Sequence, residues 1–378
     1  MEKQPLNKLE ARFLLSTPAF LGGAESDSCA EKIRPPSVKG ALRFWWRALA
    51  WSRLFNGDAN ETLKQLHQEE GALFGYAAGG ADNSDNKGGQ AAFRLRIHDD
   101  KSQQGREKLD RIDYLLGQGL VKRNKTLSYL ASGKNFSVAC YPRQTMSEQQ
   151  HKELEEALLC FGLFGGLGAR SRKGLGSVSV QSITGGQHTA PENVEAYKTL
   201  VRQLLKGMDS VRTQPVYSAF SSYSRVDVSV TGQQPELLLA QLNDQLQQYR
   251  GWFTKEKNFE KDHDWAYRVA NGKQPSDLPE RTVFGLPHNY YLSKAGVKVD
   301  INTESGRRAT PLLCHVHQFP DGHALLTQTL LQSDFLHSSQ KVGVSSKRVK
   351  GNLEADVDWS VIRNFMNRFQ HKEVICGE

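Results

Sequence analysis

A helix is predicted to begin in the stretch RPPSVKGALRFWWR, residues 34–47. Two prolines end an extended segment, and Ser37 can cap the start of the helix. At about 100° per residue, apolar side chains fall on one stripe and basic side chains on a second. The apolar stripe comprises Val38, Leu42, Trp45 and Leu49, and the basic stripe comprises Lys39, Arg43 and Arg47. The pattern predicts an amphipathic helix from Ser37 to about Phe55, buried on one side and basic on another.

The cations around this helix have no acidic neighbours in the sequence. Residues 32–57 hold six Lys or Arg and no Asp or Glu, with Trp at positions 45, 46 and 51. A solvated helix face usually carries i,i+4 ion pairs, whereas bare cations beside aromatic rings suit a phosphate backbone and its bases. The sequence therefore predicts a nucleic-acid contact. The predicted contact residues here are Arg34, Lys39, Arg43 and Arg47.

Composition and charge narrow the class of protein. The chain has 378 residues, enough for two domains that each bury a core, and a net charge of +8. Residues 1–185 hold 26 Lys or Arg and 20 Asp or Glu, so most of the excess lies in the first half. Residues 114–147 and 157–191 are two further stretches without Asp or Glu. We therefore expect a focused positive surface in the first half.

Several classes of protein are disfavoured by the sequence. No segment offers the ~20 apolar residues of a membrane span, and the first residues lack the apolar core of a signal peptide. Five cysteines are scattered without a C-x-x-C pair, which fits a reducing compartment and argues against structural zinc. We expect a cytoplasmic protein with no metal, no small-molecule cofactor and no membrane partner.

Predicted strands and helices alternate in the order of a split βαβ, or ferredoxin-like, unit. In the first half the elements are strand 9–17, helix 37–55, a helical stretch at 61–74, strands 92–98 and 136–141, helix 148–164 and strand 177–183. In the second half they are a β-rich stretch at 216–230, helix 236–253, strands 284–292, 309–319 and 324–331, and helix 359–369. The predicted fold is α+β, with two ferredoxin-like (RRM-like, βαββαβ) domains in tandem. We place them at 1–185 and 216–378, joined by a linker with one helix at 186–215. A polar, glycine-rich insertion at 77–90 is expected to be mobile.

A second candidate contact is the glycine-rich loop FGGLGARSRKGLGS, residues 164–177. Its five glycines let the backbone turn sharply and approach a ligand, and exposed N–H groups can cradle phosphates. The loop joins a helix to a strand and lacks the G-K-[ST] ending, unlike mononucleotide-binding loops. We therefore predict contact with a polynucleotide backbone. The predicted residues are Gly165, Gly166, Gly168, Arg170, Ser171, Arg172, Lys173, Gly174 and Gly176.

Candidate catalytic residues are few. His315 and His317 alternate in a predicted strand and could face a metal together, but no acidic or Cys ligand at fixed spacing supports them. His288 and His337 have no supporting motif, and the acidic pair at 356 and 358 precedes a predicted helix as N-terminal charge. We predict no catalytic residue and no metal ligand.

The motifs of the first half resemble those of the RAMP proteins of CRISPR–Cas systems. The resemblance begins with residues 17–24 (TPAFLGGA) and the stretch at 34–47, and it continues with residues 73–75 (LFG) and the glycine-rich loop. In the second half, residues 284–287 (FGLP) and 307–312 (RRATPL) are similar to motifs of the large two-domain RAMP subunit of the type III-B (Cmr) effector complex.

This resemblance implies a fold and a set of partners. It implies two ferredoxin-like domains and a place in a multisubunit antiviral complex, near the 3′ part of the guide RNA. The implied partners are guide (CRISPR) RNA, target RNA and other RAMP subunits. Target cleavage is attributed to a different subunit, so the resemblance implies a non-catalytic RNA-binding component. Arg307 and Arg308 would be a weaker contact made by the second domain.

Two alternatives stay open at this point. Some RAMP proteins are metal-independent endoribonucleases that process the guide precursor, and such chemistry needs a general base, for which a histidine would serve, and a cation near the phosphate. The second alternative is a subunit that is held in its complex mainly by protein contacts, with its basic helix facing an acidic partner.

Overall fold

The computed structural model describes residues 6–22, 32–76, 89–100, 104–105, 107–117, 120–122, 125–126, 128–252, 254–293 and 296–377. Most of the insertion predicted at 77–90 lies outside the described residues. Among the described helices, none is long and apolar enough to cross a membrane.

The first half contains eight strands and five helices in its described residues. In chain order they are β1 (Leu9–Leu15), α1 (Pro35–Leu54), α2 (Ala59–Phe74), β2 (Phe93–Asp99), β3 (Gln104–Gly105), α3 (Asp113–Leu116), β4 (Val121–Lys122), β5 (Lys125–Thr126), β6 (Tyr129–Leu130), β7 (Lys134–Pro142), α4 (Glu148–Phe164), β8 (Val178–Thr184) and α5 (Val194–Leu204). Four of the strands form an antiparallel sheet in the order β2-β7-β1-β8. This is the strand–helix–strand–strand–helix–strand arrangement that the sequence predicted.

Helix α1 begins earlier than predicted. Its first residue is Pro35, and Arg34, not Ser37, occupies the capping position, without a side-chain hydrogen bond to the helix. Proline suits the first helical position because its missing N–H would have no partner there and its φ is already helical. The two prolines therefore open the helix instead of ending the segment before it.

The second half repeats the arrangement and adds a further sheet. Its elements are β9 (Arg225–Gln233), α6 (Pro235–Arg250), α7 (Glu260–Ala270), β10 (His288–Leu292), β11 (Val297–Thr303), β12 (Leu312–Gln318), β13 (Ala324–Leu330), β14 (Val342–Ser345), β15 (Lys350–Leu353), α8 (Ser360–Met366) and β16 (Glu373–Cys376). The second main sheet has the order β12-β13-β9-β16. Counted along the chain within each sheet, both main sheets have the strand order second, third, first, fourth. Strands β10, β11, β14 and β15 pair separately in an inserted sheet that the sequence did not predict.

The two main sheets share contacts through side chains. The Oγ of Ser177, next to β8, and the Oγ of Ser179 in β8 accept hydrogen bonds from the backbone N–H groups of Val316 (3.1 Å) and Gln318 (2.8 Å) in β12. The buried hydroxyl of Tyr197 in α5 lies 3.0 Å from the hydroxyl of Thr327 in β13. The two units therefore pack directly on each other, and the division of the chain at 186–215 stays a prediction.

Candidate nucleic-acid interface

The backbone of the glycine-rich loop makes several hydrogen bonds to its own chain. Within the loop, Leu167 N–H donates to Gly176 O at 2.8 Å, and outward from it Ala169 N–H donates to Phe20 O at 2.9 Å. Thr17, just after β1, donates its hydroxyl to Gly174 O at 2.7 Å. Several of the backbone groups that the sequence assigned to a ligand are thus hydrogen-bonded within the protein.

The loop glycines are required by these close approaches. Gly176 has φ +63°, and a Cβ there would lie 2.0 Å from Leu167 O; Gly168 has φ +86°, and its Cβ would lie 2.5 Å from Phe20 O. Both the conformation and the space exclude a larger residue. Gly165, Gly174 and Gly176 are buried, so the prediction that these three contact RNA is corrected, while Gly166 is half-buried and Gly168 is exposed.

The loop carries one cation that is held by the second unit and two that line the space between the units. Arg172 donates from Nη1 to the carbonyl of Thr310, and its guanidinium lies 5.3 Å from the centroid of the Phe44 ring. Arg170 is exposed, with its Nε donating to Leu116 O at 3.2 Å, and its backbone adopts φ +63°. Lys173 has its Nζ 5.8 Å from the Tyr114 ring centroid and no carboxylate partner among the described residues. Arg172 therefore joins the two units, whereas Arg170 and Lys173 are free to meet a ligand.

A cleft of about 620 Å³ lies between this loop and the second unit. Its far wall includes residues 284–288 and 307–310, which cover the motif at 284–287 and the first four residues of the motif at 307–312. Six cationic side chains line the cleft as a whole: Arg170, Arg172, Lys173, Arg250, Arg307 and Arg308. No Asp or Glu lines this cleft among the described residues. We call it the basic cleft; it brings the loop and the pair Arg307 and Arg308 together as one site.

The second unit contributes its cations in different ways. Arg307 is exposed, whereas Arg308 is half-buried and donates from Nη2 to the Ser333 hydroxyl at 3.1 Å and to Asp334 O at 3.3 Å. The backbone of Arg308 also pairs with Leu286 through two hydrogen bonds of 2.8 and 3.0 Å, which fixes the far wall. Arg307 is thus the cation of this pair that is available to a ligand.

Arg250, the last residue of α6, was missed by sequence reasoning. Its guanidinium lies 4.4 Å from the centroid of the Phe284 ring, and its Nε is buried without a hydrogen-bond partner. In the sequence, Arg250 is a cation at a predicted helix C-terminus, a position where the helix dipole favours positive charge. Its type and position therefore gave no indication of a ligand contact. The structure places it in the basic cleft instead.

The electrostatics of the basic cleft favour an anion. Burial, followed by the charges of Arg250 and Arg170, lowers the pKa of Lys173 to about 8. Burial, followed by the charge of Arg308, lowers the pKa of Arg172 to about 10. Cations that are held together out of water without a carboxylate destabilise one another, and a bound phosphate relieves that repulsion.

The sequence predicted that the cations of helix α1 have no acidic partner. In the structure, two of them share one carboxylate. Glu70 in α2 accepts hydrogen bonds from Arg43 Nε at 2.6 Å and from Arg47 Nη1 at 2.9 Å. The Glu70 side chain is 6% exposed, and the two arginine side chains are 36% and 37% exposed. Arg43 and Arg47 therefore have a structural role in joining α1 to α2, and only their outer edges can meet a ligand.

The remaining predicted residues of this region have no carboxylate partner among the described residues. Lys39 is half-buried, and burial, followed by the charge of Arg43, lowers its pKa. Arg34 is exposed, with its Nη2 donating to Gly22 O at 3.3 Å. Arg34 and Lys32 line a small depression that also touches Gly168, which itself lines the basic cleft. Arg34 therefore lies on a surface continuous with the cleft.

The three tryptophans of α1 are core residues. Trp45 and Trp46 are each 2% exposed and Trp51 is fully buried. The Trp45 ring lies 5.6 Å from the Phe164 ring and 6.3 Å from the Phe220 ring, which come from different units. The burial of Trp45 was predicted from the apolar stripe. The expectation that tryptophan rings beside the cations meet nucleic-acid bases is wrong, because the burial of all three rings leaves no face open.

The two histidines of β12 are buried and hydrogen-bond backbone carbonyls of the first unit. The Nδ1 atoms of His315 and His317 hydrogen-bond the carbonyls of Gly165 (2.8 Å) and Gly162 (3.0 Å), and burial lowers the pKa of each to about 3. His288 lines the basic cleft, and burial, followed by the charges of Arg250 and Arg281, lowers its pKa to about 3. Among the described residues, no group of three His, Cys, Asp or Glu is placed to hold a metal ion.

Comparisons with known proteins support the resemblance seen in the sequence. Residues 12–179 match the family model of the RAMP superfamily. The chain is 26% identical over 356 residues to CRISPR system Cmr subunit Cmr1-1 of Pyrococcus furiosus, covering 88% of this chain and 87% of that protein. It is 28% identical over 190 residues to Cmr subunit Cmr1-2 of the same organism, covering 44% of this chain and 91% of that protein.

Solved structures show the same fold. The crystal structure of apo Cmr1 from Pyrococcus furiosus matches with a TM-score of 0.61 at 20% identity, covering 98% of this chain and 99% of that one. A chain of the type III-B Cmr-beta complex bound to cognate target RNA matches with a TM-score of 0.51 at 12% identity, covering 97% and 99%. The α+β fold predicted from the sequence is thereby confirmed.

Proposed function

We propose that this chain, which resembles RAMP proteins in its motifs and Cmr1 subunits along most of its length, is an RNA-binding, non-catalytic subunit of a cytoplasmic type III-B (Cmr) RNA-guided interference complex. Its partners are then guide and target RNA and other RAMP subunits, in antiviral defence. The similarity to Cmr1-1 over 88% of the chain supports the assignment to this complex. The single observation that carries the RNA-binding role is the basic cleft, with six cations and no Asp or Glu among its described lining residues.

The basic cleft suits the backbone of a single strand. Arg170 and Arg307 lie on opposite walls and are exposed, whereas Lys173 and Arg250 are half-buried. Phosphate contacts of this kind bind RNA without regard to sequence and position it. Arg34 and Lys39 would extend the contact along α1, while Ser171, which lines the cleft, can donate its hydroxyl to a phosphate.

The endoribonuclease alternative has weak support from the geometry. His288 is the histidine that lines the basic cleft, and a base with a pKa of about 3 takes a proton poorly at neutral pH. The second alternative, a basic helix that faces an acidic protein partner, loses its main argument because Arg43 and Arg47 already share Glu70.

The purified chain is expected to bind short single-stranded RNA with an affinity that falls steeply with salt. Four phosphate contacts, for example, give a log–log slope of roughly −2.8, at about −0.7 per contact for a single strand. Fluorescence anisotropy at a series of salt concentrations measures the slope, and gel analysis of the same samples shows whether the RNA stays intact. A slope near zero would remove the RNA-binding role, and cleavage within a guide-precursor repeat would favour the nuclease.

RNA affinity is also expected to weaken between pH 7 and pH 9. The pKa of Lys173 is about 8 in the free protein, so this side chain is mostly charged at pH 7 and mostly neutral at pH 9. A phosphate favours the charged form, so binding takes up a proton and the dissociation constant rises with pH, by up to about tenfold over this range. The matched control is Lys173→Arg, which keeps its charge and should give a flat profile. The same pH dependence in both proteins would show that another group is responsible.

A further inference from the structure

We propose that a hollow beside the basic cleft receives one unpaired nucleobase of the RNA strand that occupies the cleft, an inference that rests on the proposed function. The hollow has a volume of about 500 Å³. Its apolar wall is formed by Phe44, Leu63, Leu66, Tyr217 and Phe335. We call it the apolar hollow; its volume is within the range of roughly 300–1,000 Å³ typical of ligand sites.

The apolar hollow is continuous with the basic cleft. Arg307 and Arg308 line both of them, and Arg47 lies on the wall of the hollow. Arg172, whose guanidinium lies 5.3 Å from the Phe44 ring centroid, links the two cavities from the other side. A strand whose phosphates meet Arg307 therefore has its next base at the entrance of the hollow.

The aromatic rings of the hollow are held in place before any ligand arrives. Phe44 packs edge-on against Trp45, with ring centroids 5.0 Å apart, and remains partly exposed. Tyr217 donates its hydroxyl to Arg47 O at 3.0 Å and packs edge-on against Trp51 at 5.5 Å. Fixed, partly exposed rings lose little conformational entropy on binding a flat partner, and stacking on a base is tolerant of sequence.

Polar groups at the hollow match the edge of a base. The Gln340 side chain makes no hydrogen bond within the described residues, so its amide can donate and accept. The carboxylate of Asp334 accepts from Gln214 at 3.0 Å and keeps further acceptor capacity, which suits an exocyclic amino group. Arg47 and Arg307 complement a phosphate, whereas an apolar side chain of a protein partner would gain nothing from them. A nucleotide therefore fits the mixture of groups better than a protein side chain.

The apolar hollow selects for single-stranded RNA. A base enters it only when the base is neither paired nor stacked in a helix, so the bound nucleotide is single-stranded at this point. Duplex RNA of the same length is then expected to contact the rim without occupying the hollow.

Photochemical cross-linking tests the proposal directly. A set of short single-stranded RNAs, each with 4-thiouridine at one position, is irradiated with the full-length chain, and the linked peptides are identified by mass spectrometry. We expect one position to cross-link to Phe44 or Tyr217, the two partly exposed rings of the hollow. The variant Ser218→Trp, which fills the hollow from a half-buried lining position, should lose this cross-link and weaken binding by about tenfold with an unchanged salt slope.

The outcomes separate this proposal from the RNA-binding role. The matched control is Ser276→Trp at an exposed position outside the hollow, and it should behave as the wild type. If the cross-links of the wild type map elsewhere while salt-dependent binding is intact, the base-binding role of the hollow is rejected. The RNA-binding role of the basic cleft is then retained. Loss of subunit assembly by Ser218→Trp with unaltered cross-links would show that a protein occupies the hollow. Absence of RNA binding in the wild type would overturn both.

Discussion

Replacing both Arg43 and Arg47 by alanine should lower the free energy of unfolding by about 3 kcal/mol. The two guanidinium groups are the hydrogen-bond donors to Glu70, at 2.6 and 2.9 Å, and the Glu70 carboxylate is 6% exposed. Without them a charge is left in the protein interior with no partner, which costs far more than the loss of a surface ion pair. Urea denaturation followed by circular dichroism gives the change.

A third substitution supplies the control for this experiment. Adding Glu70→Leu to the double variant removes the unpaired charge, so stability should return most of the way to that of the wild type. If the double variant has the same free energy of unfolding as the wild type, the arginines are solvated side chains. The interpretation of α1 as a nucleic-acid surface is then supported again. Because the predicted effect is structural, weaker RNA binding by the double variant would not by itself show a contact.

Replacing Arg170, Lys173 and Arg307 together by glutamine should reduce RNA affinity on the order of 100-fold at 0.1 M salt. Three lost phosphate contacts flatten the log–log salt slope by roughly 2, and a slope difference of that size extrapolates to this factor between 1 M and 0.1 M salt. These residues were chosen because none of them has a carboxylate partner among the described residues, so the fold should tolerate their loss. Anisotropy titrations at several salt concentrations measure both quantities.

Net charge is controlled by a second triple variant. Lys255, Lys261 and Lys273 are exposed and lie outside the basic cleft, and their replacement by glutamine removes the same formal charge. This variant should change the slope little, because distant charges are screened beyond about 10 Å at 0.1 M salt. Equal losses in the two triple variants would mean that overall charge, not the cleft, attracts RNA.

The fold could be predicted from the sequence because local patterns determine it. The alternation of strands and helices was evident from periodicity, and the apolar stripe of α1 is buried at Val38, Leu42 and Trp45. The inserted sheet was missed because the strand predicted at 284–292 carries no sign of which neighbour it pairs with. Pairing depends on contacts such as Tyr290 opposite Val299, which periodicity alone does not specify.

The candidate site was predicted in part, and its errors have physical causes. A glycine is needed where the backbone closely approaches either a ligand or its own chain, and the sequence does not distinguish the two, so the roles of Gly165, Gly174 and Gly176 were misassigned. The partner of Arg43 and Arg47 lies in the next helix, beyond the i,i+4 range in which ion pairs can be read from sequence. The loop and the pair Arg307 and Arg308 were predicted as separate contacts, and only the packing of the two units brings them to one cleft.

The repeated topology shows which parts of each unit build the basic cleft. Each unit has a connection before its last strand: in the first it is the glycine-rich loop, and in the second it is residues 367–372, which contain no glycine. Between its first helix and its second strand, the second unit carries the segments that form the far wall of the basic cleft. The four strands have the same order in both units while the connections differ, and each unit supplies one wall of the cleft. Because the walls are built from connections and not from the sheets, substitutions can change one wall without altering the strand order of either unit.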